Sequence, residues 1–259
     1  IILDKRLSRF NLIYLFNLMR KLKKYKFKKV FDLQNSSRSN FYKKILFPNA
    51  SNLVWSSSET TMPKDKSKDE FDKNPVLDRF KHQLETSGVN TKNTMFPDFK
   101  WACSNIENIK KKFDLNKYIV LFPFCSPHLI IKKWPYYNEL IELIKKKFDD
   151  EYKIVVAPGP KEIDMTKEIN AITILNQKNS LNIQELASLI KGSSFVISND
   201  TGPAHISSHL GVKGVALFGS HTTAYKVSIE RENFKAIQVT DLKKLSPEKV
   251  FEYVMKSLN

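Results

Sequence analysis

KGSSFVISNDTGPAHISSHLGVKGVALFGS, residues 191–220, spells a strand, a polar turn, a short helix and a second strand. Phe195-Val196-Ile197 is apolar without alternation, the pattern of a strand buried on both faces. Ser198 to Gly202 is turn chemistry, and Pro203 suits the first positions of a helix, where its missing N–H costs nothing. Gly211 stands where a helix often ends in a left-handed residue, and Val215–Phe218 restarts the sheet. Such a unit leaves free backbone N–H groups at the helix start, just past the carboxyl end of a strand. That is an anion site, with Asp200, Thr201 and His205 around it.

Working outward, the same alternation recurs. Tyr118–Pro123 reads as a buried strand, Tyr136–Phe148 as a helix, Ile154–Ala157 as a strand and Ile172–Leu175 as a third. Asn182 with Glu185 forms a capping box opening a helix over Ile183–Ile190. Ser246-Pro247-Glu248 opens an amphipathic C-terminal helix, expected to pack back on the first domain. Strands alternating with helices predict an α/β fold with parallel sheets, about five strands lying in the second half. Upstream, Ile1–Leu3 reads as the tail of a strand, Asn11–Lys24 as a helix, and Val30–Leu33 as a strand. Gln34–Ser39 follows as a polar loop carrying Arg38, a candidate clamp for phosphate or carboxylate or else a structural ion pair. Ser56–Asn74 reads as a long mobile loop or lid, Pro75–Glu85 as a helix, and Thr91–Trp101 as connection. The domain boundary is placed at Leu115-Asn116, giving domains 1–115 and 116–259.

Neither half contains the Gly-rich dinucleotide fingerprint or a P-loop, which argues against NAD-dependent and NTP-hydrolysing enzymes of the usual kinds. The chain has 259 residues and a formal charge of +16, which invites a polyanionic partner or an anionic membrane. Of its 43 basic residues only six are Arg, the preferred fork for phosphates and base edges, so nucleic acid is not the expected partner. Lys21–Lys29 (KLKKYKFKK) is either a membrane-surface patch or a solvated helix end. Two cysteines without metal or redox spacing suit a reduced, cytosolic setting. His205 and His209 have the spacing of a zinc pair but lack a third ligand, and no cofactor or metal is implied. Ser198, Asp200 and His205 lack the nucleophile elbow a hydrolase triad would need. Trp134 reads as packing, and Asp32 as structural at its strand end.

The segment FVISNDTGPAHISSHLGVKGVALFG closely resembles the signature of glycosyltransferase family 9, the lipopolysaccharide heptosyltransferases. KKWP at Lys132–Pro135, PGPKE at Pro158–Glu162 and FDLQNSSRS at Phe31–Ser39 stand in the order that family shows. The resemblance implies two facing Rossmann-like domains, the GT-B architecture. It implies inverting transfer of heptose from ADP-heptose to the inner core on lipid A, by a cytoplasmic enzyme peripheral to the inner membrane. Lys132 matches the lysine facing the donor diphosphate, Ser126 lies in a loop of small hydroxyl contacts to the same group, and Glu162 matches an acid at the nucleoside. Asp200, Thr201 and Gly202 match the DTG at the helix start, and His205 lies one turn further in. The family's catalytic aspartate belongs to a Gly-Asp turn that this sequence does not show, so the first domain is expected to be truncated at its start and the chain inactive or nearly so. The competing readings are a non-catalytic basic module for acidic glycan or nucleic acid, and a family member using another nucleotide sugar.

Overall fold

The computed structural model describes residues 1–47, 53–93 and 97–258, which divide into two compact units, 1–95 and 96–259. The first unit runs α1 (Leu12–Lys23), β1 (Lys29–Phe31), α2 (Ser37–Leu46), β2 (Val54–Ser56), α3 (Ser58–Thr61), α4 (Lys68–Phe71) and α5 (Val76–Thr86). Its described strands, β1 and β2, pair in parallel. Side-chain capping shapes this unit. Asn11 accepts from the Tyr14 N–H to open α1, and Ser36, Ser57 and Ser67 each form a capping box at α2, α3 and α4. Those caps correct two expectations. The stretch read as a lid carries two short helices, and Arg38 sits in the first turn of α2 rather than in a loop. Ile1–Leu3 is not a strand. Part of the connection expected over Thr91–Trp101 lies outside the described residues.

The second unit runs α6 (Glu107–Phe113), β3 (Tyr118–Phe122), α7 (Tyr137–Phe148), β4 (Lys153–Val156), β5 (Ile172–Thr173), α8 (Ile183–Lys191), β6 (Phe195–Asn199), α9 (Gly202–Leu210), β7 (Gly214–Phe218), α10 (Ala224–Val227), β8 (Phe234–Gln238) and α11 (Pro247–Leu258). Its strands form one parallel sheet in the order β5-β4-β3-β6-β7-β8. The sheet holds six strands rather than five: β8 lies at an edge, only Phe234 and Ile237 of it are buried, and it shows no apolar run. Along β3 the side chains alternate between two cores. Tyr118, Val120 and Phe122 join α6, α8 and α9 through Ile109, Leu189 and Ala204. Ile119 and Leu121 join α7 and α11 through Leu140, Ile144, Val250 and Val254. Helices therefore cover both faces, which is why the central strands read as continuous apolar runs.

Contacts divide the chain well before the expected boundary at Leu115-Asn116. Ile106, Ile109 and Leu115 are buried in the core around Tyr118, so the segment ahead of β3 belongs to the sheet it leads into.

Candidate nucleotide-sugar site

Strand order reverses between β3 and β6: from β3 the chain winds one way to β4 and β5, and from β6 the other way to β7 and β8. Loops leaving neighbouring strands there diverge, opening a crevice beyond their carboxyl ends. A cavity of about 310 Å³ lies at this point, and its lining includes Ser126 after β3, Gly159 and Glu162 after β4, and Thr201 and Gly202 after β6.

Asn199, the last residue of β6, builds the floor. Fully buried, it donates from Nδ2 to the Pro123 carbonyl (2.9 Å), and its Oδ1 accepts from the Trp134 N–H (3.2 Å). One side chain thereby ties the exits of β3 and β6 to the segment carrying Lys132. Trp134 is packing, as expected: it is fully buried and its Nε1–H donates to the Leu245 carbonyl at 2.8 Å.

Beside the cavity, Asp200 is 4% exposed and surrounded by cationic or protonatable groups. Lys132 Nζ donates to Oδ2 at 2.6 Å, His221 Nε2 contacts the same oxygen at 2.9 Å, and His205 Nε2 lies 3.7 Å from Oδ1. Burial alone would raise this carboxyl. The nearby His205 imidazole, the hydrogen-bonding Lys132 and His221, and the charge of Lys132 outweigh it and hold Asp200 well below the usual carboxylate range.

At the start of α9, Thr201 is extended (φ −142°, ψ 172°) and makes no side-chain cap. Its hydroxyl lies 3.3 Å from both the Ser198 hydroxyl and the Asn199 carbonyl, so it turns inward and leaves the helix start uncapped. A Cβ on Gly202 would meet nothing within 4 Å, so open space lies against the backbone here. Glu162 curls back over its own turn, Oε2 accepting the Gly159 N–H at 2.8 Å. Ser198 donates to the Asn199 carbonyl at 2.7 Å, a buried structural role.

Ser126, Glu162, Thr201 and Gly202 thus line one cavity, and Lys132 and His205 meet at Asp200, next in the chain to Thr201. Within the first unit, Arg38 Nε donates to the Tyr42 hydroxyl (2.7 Å) and its Nη2 to the Leu7 carbonyl (2.6 Å), with Asp4 Oδ2 3.5 Å away. Tyr14 and Tyr42 hydrogen-bond the same Asp4. Of the two expected roles of Arg38, clamp or structural ion pair, the geometry within this unit is that of the ion pair: Tyr42 lies one helical turn away, and Asp4 and Leu7 come from chain remote in sequence. Sequence reasoning missed His221 and, in its bracing role, Asn199. His221 could have been found from its place two residues after Gly219, just past the carboxyl end of a central parallel strand.

Residues 15–251 match the profile of glycosyltransferase family 9 (heptosyltransferase). The chain belongs to glycosyltransferase family 9. Over 115 residues it is 30% identical to lipopolysaccharide heptosyltransferase 1 of Campylobacter coli, a match covering 41% of this chain and about a third (33%) of that relative's length. Its fold is that of the GT-B glycosyltransferases. It is similar to E. coli heptosyltransferase WaaC solved with ADP (TM-score 0.67, 17% identity, covering 97% of this chain and 79% of that one). A family 9 glycosyltransferase from Veillonella parvula is similar too (TM-score 0.72, 18% identity, 100% and 81% covered). This family 9 chain has no described helix long and apolar enough to cross a membrane.

Proposed function

We propose that the second unit binds a nucleoside-diphosphate sugar, with ADP-heptose as the donor, for inverting transfer of heptose to the inner core of lipopolysaccharide on lipid A. The observation that carries this reading is an uncapped helix start, the part-buried Lys132–Asp200 pair beside it and a cavity lined by Glu162 at the β3/β6 crevice. The names of the relatives, solved with ADP or described as heptosyltransferases, support the choice of nucleotide and sugar.

In this reading the α9 N–H groups and the Lys132 ammonium face the diphosphate, which gains charge as the sugar leaves. Gly202 lets the phosphates approach the backbone, and Glu162 accepts nucleoside hydroxyls on the oxygen not bonded to Gly159. Ser126 and Thr201 supply hydroxyls at the rim. His205, half-exposed beside Asp200, faces the sugar or diphosphate. Arg38 is assigned to stability. Transfer also needs a base for the acceptor hydroxyl. Asp200 is held by Lys132 and His221, so it is not assigned the role of that base.

The first unit offers a peripheral contact with an anionic membrane: Leu12, Ile13 and Phe16 are exposed on α1, whose last turn carries Arg20, Lys21 and Lys23. Calorimetric titration tests the donor site. ADP should bind the intact chain, and Lys132→Ala or Glu162→Ala should each weaken binding by about tenfold. Wild-type affinity retained in both variants, or no response to ADP beside salt-steep binding of DNA, would overturn the reading in favour of a polyanion-binding module.

A further inference from the structure

Lys132 and His221 share one oxygen of Asp200, and that sharing poses a problem for ligand binding. In the free chain the Lys132 ammonium is the shortest contact of a carboxylate only 4% exposed. A diphosphate in the crevice competes for the same ammonium. As Lys132 turns toward phosphate, a buried carboxylate is left short of a cation, at a cost that grows with its burial.

His221 is placed to meet that cost. Its side chain is 9% exposed and its Nε2 stays 2.9 Å from the contested oxygen. The ring lies parallel to Phe218 (6.3 Å between centroids, 11°). Its loop is pinned by Gln238, whose Nε2 donates to the Gly219 carbonyl (2.7 Å) and the Thr222 carbonyl (3.2 Å). The far nitrogen, Nδ1, is buried with no protein partner among the described residues. Gly219 leaves space near it: a Cβ there would stand 3.6 Å from Nδ1 and 3.6 Å from the Ile131 carbonyl oxygen. Among the described residues, the charged or titratable groups at the imidazole and its carboxylate are Asp200 after β6, Lys132 beyond β3 and, across the carboxylate, His205 on α9.

We infer that His221 is a positioning residue for Lys132: it holds Asp200 and takes up a proton from solvent at Nδ1 when the ammonium turns to the donor diphosphate. The exchange balances. One positive charge moves from the carboxylate toward the phosphates, and one proton replaces it beside the carboxylate. An imidazole is suited to this because it gains a proton within the physiological range, which a second lysine would not do. The inference rests on the donor-site reading and deepens it, since it makes nucleoside-diphosphate affinity depend on pH through a residue that need not touch the ligand.

The test is calorimetric titration of the whole chain with ADP at about pH 6 and about pH 8, comparing wild type with His221→Gln. Glutamine keeps an N–H near the position of Nε2 but does not titrate, and ADP's own ionisation is common to both proteins. Wild-type affinity should fall between these pH values by about fivefold more than that of the variant, as expected for proton uptake on binding. Should the variant not fold, the His221 ring resonances of wild type decide: ADP should move them toward the imidazolium position and adenosine, which has no phosphate, should not. Equal pH slopes, or a His221 ring indifferent to ADP, overturn the inference alone. Failure of wild type to bind ADP at either pH overturns the donor-site reading and the inference with it.

Discussion

His209 stands one helical turn beyond His205, yet the two rings meet different surroundings. His205 faces Asp200, whereas His209 lines a separate cavity with Arg231 and Asn233. Burial first, then the charges of Arg231 and His205, push the His209 imidazole down to about 4. An unfolded histidine titrates near ~6.5, so between those values the unfolded chain binds more protons and stability rises with pH. Stability is therefore present above that window and is lost as pH falls from about 6.5 toward about 4. The ring is only partly buried, so solvent moderates the effect. His209→Asn should flatten the acid side of the urea-midpoint profile; superimposable profiles would show that His209 contributes nothing to acid sensitivity. The sequence placed both histidines on one helix, at the spacing of a zinc pair but without a third ligand. Only their spatial neighbours separate a carboxylate-facing ring from one held neutral.

Elements form where local chemistry agrees with the fold, and two glycines show how far that is legible. Gly211 ends α9 at φ 69°, the left-handed cap expected from its place after Leu210. Gly214 opens β7 for a reason no local pattern reveals: a Cβ there would lie 2.7 Å from the Val196 carbonyl oxygen on β6 and 2.7 Å from a ring carbon of Phe234 on β8. Backbone paired on both sides cannot swing away. Gly214→Ala should cost about 1–3 kcal/mol in chemical denaturation, as overpacking does. Gly211→Ala meets open space and should cost about 1 kcal/mol, through backbone strain alone. The reverse ranking would mean that β7 has room to shift. The capping box at Asn182 and Glu185 was legible for the same local reason as Gly211, and it forms as expected. The short helices α3 and α4 were read as loop because two apolar-poor turns show no periodicity, although their serine caps stand in the sequence.

At the scale of the molecule, the buried residues of the two cores that flank the six-stranded sheet run from Ile106 to Val254, all within the second unit. A fragment of residues 96–259 should therefore unfold as one cooperative transition. A fragment beginning at residue 116 loses Ile106, Ile109 and Leu115 from the core around Tyr118 and should melt many degrees lower. Equal melting temperatures would favour the later boundary. The α/β class, the parallel sheet and the signature around Asp200 were determined by sequence alone, because buried strands, helix caps and turn residues are local and each declares its own conformation. The tertiary structure decided the rest. It bound Arg38 to Asp4, drew α6 into the second core and brought His221 onto the oxygen that Lys132 holds. Those outcomes depend on which remote residues share a buried carboxylate or a core wall, and burial sets that energetic cost only once the chain has folded around them.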